Sequence, residues 1–555
     1  MKGARWLAEH VVEAERLVDE ALVAGVSCVA WVEGLLKEER APRGRHCALS
    51  VRTLFVALQL GAFAGTLYLD DATDLLDDLS PKDRARLGLP RTGPAVSYRQ
   101  VCYLVQRVND VLRRNFTEEN RGDDARYHDF DRVFGAIAVT GTHEDTARFS
   151  SIAVDGTDIA TWGTDTTFFQ LRLKELGPGR YEAVTDENGE LVFDKVRVTT
   201  DADAAWRGSD NEQGKPSHFG YSLSVAVVAR DEGGPVAPLA AVAARLRPAN
   251  FSERPSGLAC VAEVRDRRGS LGDVLIDRGY TSSKDGKDFL LPVRALGGDP
   301  IFDLTKYQVG PSGTVRGALI VDGRPYSPSM PKSLLTLTPP RGGEDGTYKP
   351  DPAKVREYQQ AVAARAVYAL DTHGGARANG SQVFVCPGAA GKLDCPLRAP
   401  KRALRAGALP VLRTPKNVAT TSVCSNSYPS FSLEDLPLYQ RHIYGTAQWA
   451  KSYSRRQTSV ETYFSQLKSA AGAVERGRIR VRGIVKTGLL VAFAMASTNR
   501  RAALAYETAK SRPTTARKHR SGRPRGHRLT KYREVAERAR RKTPTSSGVA
   551  TVLTT

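Results

Sequence analysis

Apolar positions follow two different periods along the chain. Up to about residue 145 they recur every three or four residues. Trp6, Leu7, Val11, Val12, Leu17, Val18 and Leu22 make one amphipathic segment, and Leu54–Leu69, Ala72–Leu79 and Tyr98–Leu112 predict further helices. From about residue 146 the apolar runs shorten and alternate. Ile152–Val154, Tyr221–Ala229, Val274–Ile276 and Leu290–Leu296 predict strands, Val236–Leu246 is another apolar stretch, and Tyr181–Val198 predicts a hairpin turning at Glu187-Asn188-Gly189. The longest apolar run, Thr53–Leu69, contains Gln59 and falls short of the ~20 residues that span a bilayer, so it is expected to be a buried helix.

Two of the strands run straight into an acid. In Ser150–Asp158 the run Ile152-Ala153-Val154 ends at Asp155-Gly156, and in Asp273–Tyr280 the run Val274-Leu275-Ile276 ends at Asp277-Arg278-Gly279. Alone, each reads more readily as a strand followed by a solvated turn. A third acid lies in Tyr453–Lys468, where Val460, Phe464, Leu467 and Ala471 repeat at helical spacing and leave Glu461 and Lys468 on a neighbouring face. Thr458–Glu461 is also a capping-box pattern, in which Glu461 would only start its helix. Taken as a set, Asp155, Asp277 and Glu461 form a carboxylate triad of the kind that holds Mg²⁺ or Mn²⁺ for phosphodiester chemistry. Asp201 and Asp203, between the strands, are expected to be solvated.

These stretches resemble the DDE transposases of bacterial insertion sequences, in the branch with a Tyr/Arg/Glu/Lys signature around the last acid. The resemblance rests on VDGT at Asp155, DADAAWR from Asp201 to Arg207, HFGYSLSVAV from His218 to Val227, LIDRGY at Asp277, and Tyr453, Arg456, Glu461 and Lys468. The family usually places three residues between Arg and Glu, where this chain has four. The resemblance covers roughly residues 145–505. It implies a ribonuclease-H-like mixed α/β catalytic domain using Mg²⁺ or Mn²⁺, with Tyr453, Arg456 and Lys468 on DNA. The expected partners are double-stranded DNA, as element ends and target, and a second copy of the chain when bound to DNA. The alternatives are a metal-dependent nuclease without strand transfer and a non-catalytic, domesticated DNA-binding protein.

Charge agrees with a polyanionic partner. A formal net charge of +20 attracts phosphates through Coulomb attraction and counterion release. The strip Arg476–Lys486 is basic, and its alternating Arg476, Arg478, Arg480 and Arg482 are expected to lie on an extended segment that grips DNA. The last residues, 506–555, carry fourteen Lys and Arg against three Glu and are expected to form a disordered, nonspecific DNA-binding tail. No secretory leader is read at the start, so a bacterial cytoplasmic, nucleoid-associated location and no membrane partner are expected.

Between Asp277 and Glu461 lie 183 residues, too many for a loop, which predicts an inserted domain. The expected organisation is a helical domain at 1–145 for DNA binding or dimerisation, a catalytic domain in two parts (146–296 and 441–505), an insertion at 297–440, and the tail. Within the insertion, Cys386, Cys395 and Cys424 are candidate ligands of a structural Zn²⁺, completed by His373 or His442, although buried thiols would look the same in sequence.

Overall fold

The computed structural model describes residues 4–511, apart from 40–48, 118, 121–122, 178–179, 209–217, 282–284, 341–350, 376, 378–380, 398–421 and 476. The expected tail lies almost wholly outside the described residues, as does Arg476. By compactness the chain divides into Met1–Ala503 and Leu504–Thr555.

The N-terminal part is helical, as its apolar period requires: α1 (Ala4–Glu20), a small hairpin of β1 (Leu22–Val23) and β2 (Val26–Ser27), then α2 (Cys28–Glu38), α3 (Val51–Ala64), α4 (Leu69–Asp77), α5 (Pro81–Arg86), α6 (Tyr98–Leu112) and α7 (His128–Ala138). Ser50 caps α3 by accepting from Thr53 N, and Gly65 ends it in the left-handed conformation, so the helix expected over Leu54–Leu69 stops at Ala64 and the chain bends before α4 begins at Leu69. Gln59 is buried within it, and among the described residues no single helix is long and apolar enough to cross a membrane. The Arg113-Arg114 pair after α6 is engaged internally: Arg113 pairs with Asp203, and Arg114 with Asp129 and Glu38.

The second part is a mixed α/β sheet covered on both faces. It contains β3 (Ile152–Ala160), β8 (Ala205–Arg207), β9 (His218–Val228), β10 (Ala241–Pro248), β11 (Asp273–Ile276) and β12 (Asp299–Phe302) in the order β10-β9-β3-β11-β12, with β8 beside β9. The strands β10, β9 and β3 are antiparallel, whereas β11 and β12 run parallel to β3. Between β3 and β8 stand β4 (Asp165–Leu171), β5 (Leu173–Gly177), β6 (Arg180–Ala183) and β7 (Phe193–Thr199), which form ribbons of their own. The expected hairpin is therefore rearranged. The chain does turn at Asp186–Gly189, but β7 ladders back onto β4, while β6 pairs with β5.

Period-two alternation assigns the faces of the sheet. Ile152, Val154, Val274, Ile276 and Phe302 pack with α8 (Glu253–Arg268) and α9 (Leu290–Ala295). Ala153, Leu223, Val225 and Leu275 face the helical layer, which includes the N-terminal helices. The stretch Leu290–Leu296 is thus a helix and not the expected strand. Pro292 is tolerated in a first helical turn but would remove a ladder donor from a buried strand, and the strand follows at β12 after Gly297-Gly298.

The insertion holds two three-stranded sheets, β13 (Pro311–Val315), β14 (Ala318–Val321) and β15 (Arg324–Tyr326), then β16 (Asp371–Thr372), β17 (Ser381–Val385) and β18 (Ser430–Ser432), with α10 (Pro352–Ala366) between them. A fully buried Arg365–Asp322 pair ties α10 to the first sheet. The chain then returns through α11 (Ala447–Tyr453) and α12 (Thr462–Leu467) to α13 (Ile484–Lys510). Asn499 of α13 is buried and donates to the carbonyls of Ala138 and Thr140 while accepting from Ala241 N, which locks that helix between α7 and β10.

Candidate active site

Strand register brings the two aspartates together. β11 pairs with β3 through Val274↔Ile152, Leu275↔Ala153 and Ile276↔Val154, so the next step sets Asp277 beside Asp155. Asp155 shares its face with Ala153, and Asp277 shares its face with Leu275, both of which pack on the helical layer. That layer includes the apolar stripe of the third segment: Val460, Phe464 and Leu467 are buried. Ala471 is not part of the stripe, since α12 ends at Leu467 and Ala471 is exposed.

Glu461 is not a helix-capping residue. Gln457–Glu461 is a single π-turn between α11 and α12, and the Thr458 and Ser459 hydroxyls donate back to the Arg455 carbonyl instead of accepting from a helix start. The turn has a geometric effect. Residues five apart in an α-helix lie about 140° from alignment, whereas a π-turn closes with i→i+5 bonds and stacks them. Arg456 and Glu461 are five apart, and Arg456 Nη1 donates to Glu461 Oε1 at 2.6 Å.

The same guanidinium reaches the other two acids. Arg456 Nη2 donates to Asp155 Oδ2 at 2.5 Å and lies 3.9 Å from Asp277 Oδ2. All three candidate acids therefore converge on one positive charge. The Arg456 residue is 9 % exposed, and its Nε is buried with no hydrogen-bond partner among the described residues. Burial pushes the Asp155 carboxyl up to about 6; Arg456 and the Gly156 N–H oppose the shift, and Asp277 and Glu253 add to it. Glu253 approaches from the opposite face, where Gly156 has no side chain: a Cβ there would lie 2.6 Å from the Glu253 carboxyl carbon. Arg207 holds Glu253 at 2.6 Å and Asp158 at 2.8 Å.

The neighbouring Arg455 is the residue that sequence reasoning missed. It donates to Asp273 Oδ2 at 2.6 Å and to the Arg230 carbonyl at 2.8 Å. Asp273 begins β11 and Asp277 follows its end, so the adjacent arginines fasten the α11–α12 connection to both ends of one strand. The only signal in sequence was the Arg-Arg doublet itself.

Other candidates fall around this centre. Tyr453 stacks on Trp449 with ring centroids 5.3 Å apart, and burial raises its phenol above the usual value. Lys468 ends α12 half-buried; burial lowers its ammonium, with Asp158 opposing the shift. Arg478 pairs with Glu475 at 3.8 Å, and Arg482 is exposed. Arg480 lies over the Tyr68 and Trp162 rings at 4.6 and 5.4 Å, which clamps the strip to the N-terminal helices and to the end of β3.

Asp201 and Asp203 are not solvated. Asp201 is 2 % exposed and accepts from the Thr161 hydroxyl at 2.5 Å, the Tyr221 hydroxyl at 2.7 Å and Gly483 N at 3.2 Å, while Asp203 accepts from Ile484 N at 3.0 Å. They satisfy the orphan donors at the start of α13 and complement its dipole.

Cys386 is buried, Cys395 and Cys424 are partly buried, and the described cysteines form no disulfide. His442 is 2.9 Å from Glu232, and His373 packs on Tyr428. Among the described residues no three His, Cys, Asp or Glu side chains stand together as a ready metal-binding group, either at the thiols or at the acids. At the acids the reason is visible: Arg456 lies between them. Their hard carboxylate oxygens, gathered on a single buried cation, nevertheless suit Mg²⁺ or Mn²⁺. No protein-family profile matches the chain, and no curated protein matches it.

Proposed function

We propose that this chain is a DNA transposase of the DDE type, with a ribonuclease-H-like catalytic domain, which cuts at the ends of its element and joins the freed 3′ hydroxyls to target DNA. The observation that carries this reading is the convergence of Asp155, Asp277 and Glu461 on one guanidinium, from two neighbouring strands and a helix. Further support comes from the sheet, in which three antiparallel strands are followed by two parallel ones, with the aspartates side by side on β3 and after β11. The one-residue-longer Arg-to-Glu spacing is absorbed by the π-turn, which keeps the two side chains in contact.

Asp155, Asp277 and Glu461 would hold the divalent ions. When bound, such ions supply Lewis-acid polarisation of a phosphodiester and a more acidic water or hydroxyl. The protein's own groups orient the rest. Arg456 balances the carboxylate charge, and the partly desolvated Lys468 is available to a phosphate oxygen. Arg482 and the +20 net charge supply attraction along the DNA backbone.

The test uses the full chain, Mg²⁺ and a duplex carrying the repeats that flank its coding region, with a supercoiled target. Strand nicking and joining are scored separately. The expected result is both activities in the unmutated protein and neither in Asp155→Ala, Asp277→Ala or Glu461→Ala, with end binding retained. Nicking without joining would make the protein a nuclease. Chelator-resistant cleavage, or an active Asp277→Ala protein, would overturn the assignment.

A further inference from the structure

The segment 164–200 leaves the sheet between β3 and β9 and packs on none of the hydrophobic cores among its described residues. It is a branched ribbon. One arm is β4 on β7, in register from Asp165↔Thr199 to Leu171↔Phe193. A second is β5 on β6, and a third is the turn closed by Thr185↔Leu191. The arms meet where Arg172 N bonds Val192 O, Val192 N bonds Val184 O, and Val184 N bonds Arg172 O, all within 2.8–2.9 Å. Its base is firm: Thr200 N donates to Thr164 O at 2.9 Å, and the buried Asp201 fixes the flanking Thr161.

The ribbon exposes an unusual amount of apolar side chain. Phe169 is 70 % exposed, Tyr181 60 %, Leu191 52 %, and Leu173 and Phe193 51 %. The register Leu171↔Phe193 puts Phe169 and Phe193 on one face. Both long edges of the β4–β7 arm, about 23 Å at 3.3 Å per residue, have no further strand beside them among the described residues. Two-stranded ribbons are marginal alone, and exposed apolar edges invite pairing.

A two-stranded ribbon has the right width for a DNA major groove, but the charge argues against that use. Residues 164–200 hold seven Asp and Glu against five Lys and Arg, and 182–190 hold Glu182, Asp186, Glu187 and Glu190 with no base. Phosphates would be repelled. The rest of the chain is strongly basic, since the whole carries +20. We propose that this ribbon is a homodimerisation arm, whose apolar faces and acidic tip clasp a second copy of the chain. The match is one of charge, acidic arm on basic body, and when each copy gives its arm to the other the reciprocal contacts close as a two-fold dimer. Because the arm springs from the strand that carries Asp155, dimer formation would also steady the catalytic sheet.

The test is sedimentation equilibrium of the full chain, free of DNA, across a salt series. Two variants are compared with the unmutated protein: Phe169→Ser/Tyr181→Ser/Phe193→Ser, and Glu182→Lys/Glu187→Lys/Glu190→Lys. The changed side chains are exposed, so folding is retained, and circular dichroism verifies it. A third variant removes 166–198 and closes Asp165 to Thr199 with Asn-Gly. The expected result is a salt-sensitive dimer whose dissociation constant rises about tenfold or more in each variant. A monomeric unmutated protein at every attainable concentration would overturn the proposal, and so would unchanged dimerisation of the three variants. Lost duplex binding with dimerisation intact would overturn it in favour of a nucleic-acid arm.

Discussion

Replacing Arg456 by Met tests the centre of the site. The substitution keeps an apolar stem of similar reach and removes the charge on which three carboxylates converge. Only the Asp155 contact is buried on both sides, with side chains 11 % and 16 % exposed; Asp277 and Glu461 are each 45 % exposed. Breaking a buried pair costs about 3–5 kcal/mol, and the solvated legs add roughly 0.5 kcal/mol or less. We take the lower end, about 3 kcal/mol, because the site borders solvent.

The cost must depend on pH. Asp155 is raised to about 6 from its ordinary 3.8. A raised acid stabilises the fold fully below the unfolded value and loses that contribution as pH climbs through the folded value. The unmutated protein should therefore lose about 3 kcal/mol between about pH 4 and pH 6 on this account. Without Arg456, Asp155 is raised further, so the loss continues to higher pH. Urea unfolding with chelator should show a small difference between the two proteins near about pH 4, where Asp155 is protonated in both, and about 3 kcal/mol near about pH 8. Added Mg²⁺ should return more stability to the variant than to the unmutated protein, because its carboxylates have no competing guanidinium. An equal difference at both pH values, or none at either, would refute the charge-centred reading.

Asp201→Ala should lower thermal stability by about 2–4 kcal/mol, because it strands the buried Thr161 and Tyr221 hydroxyls and the part-buried Gly483 and Asp203 N–H groups; a variant as stable as the parent would refute the anchoring role. Gly156→Ala should destabilise by about 1–3 kcal/mol through contact with Glu253, and the double variant Gly156→Ala/Glu253→Ala should recover most of that loss by calorimetry. Deleting 509–555 should weaken binding to random duplex and flatten its salt dependence, while preference for element ends persists. A binding titration in which preference vanished and random binding stayed would assign recognition to the tail.

Much of the site could be read before any fold was known, because each acid was announced by local pattern. The Asp-Arg-Gly pattern does mark the end of β11 before Asp277, whereas β3 does not end at Asp155-Gly156 but runs on to Ala160, so Asp155 lies within its strand. The spacing of Val460, Phe464 and Leu467 marks which helical face is buried. Helices such as Tyr98–Leu112 were legible for the same reason, since side-chain period depends only on nearby residues. Leu290–Ala295 was read as a strand from its apolar run, although Pro292 within that run argues against a buried strand and fits a first helical turn.

Register and long-range pairing were decided by tertiary structure alone. Nothing local states that Asp277 falls beside Asp155, that Arg455 and Arg456 reach opposite ends of β11, or that the step from Arg456 to Glu461 is a π-turn. The burial of Asp201 and Asp203 depends on donors at Gly483 and Ile484, some 280 positions further along, and the branching of the ribbon depends on strands that skip their nearest partners. Sequence by itself determined which acids are candidates for the site and which face of each element is apolar, because those follow from side-chain type and a period of two or 3.6 residues. Only the folded chain decided which charges meet, because Coulomb and hydrogen-bond energies depend on distances that contacts between remote segments create.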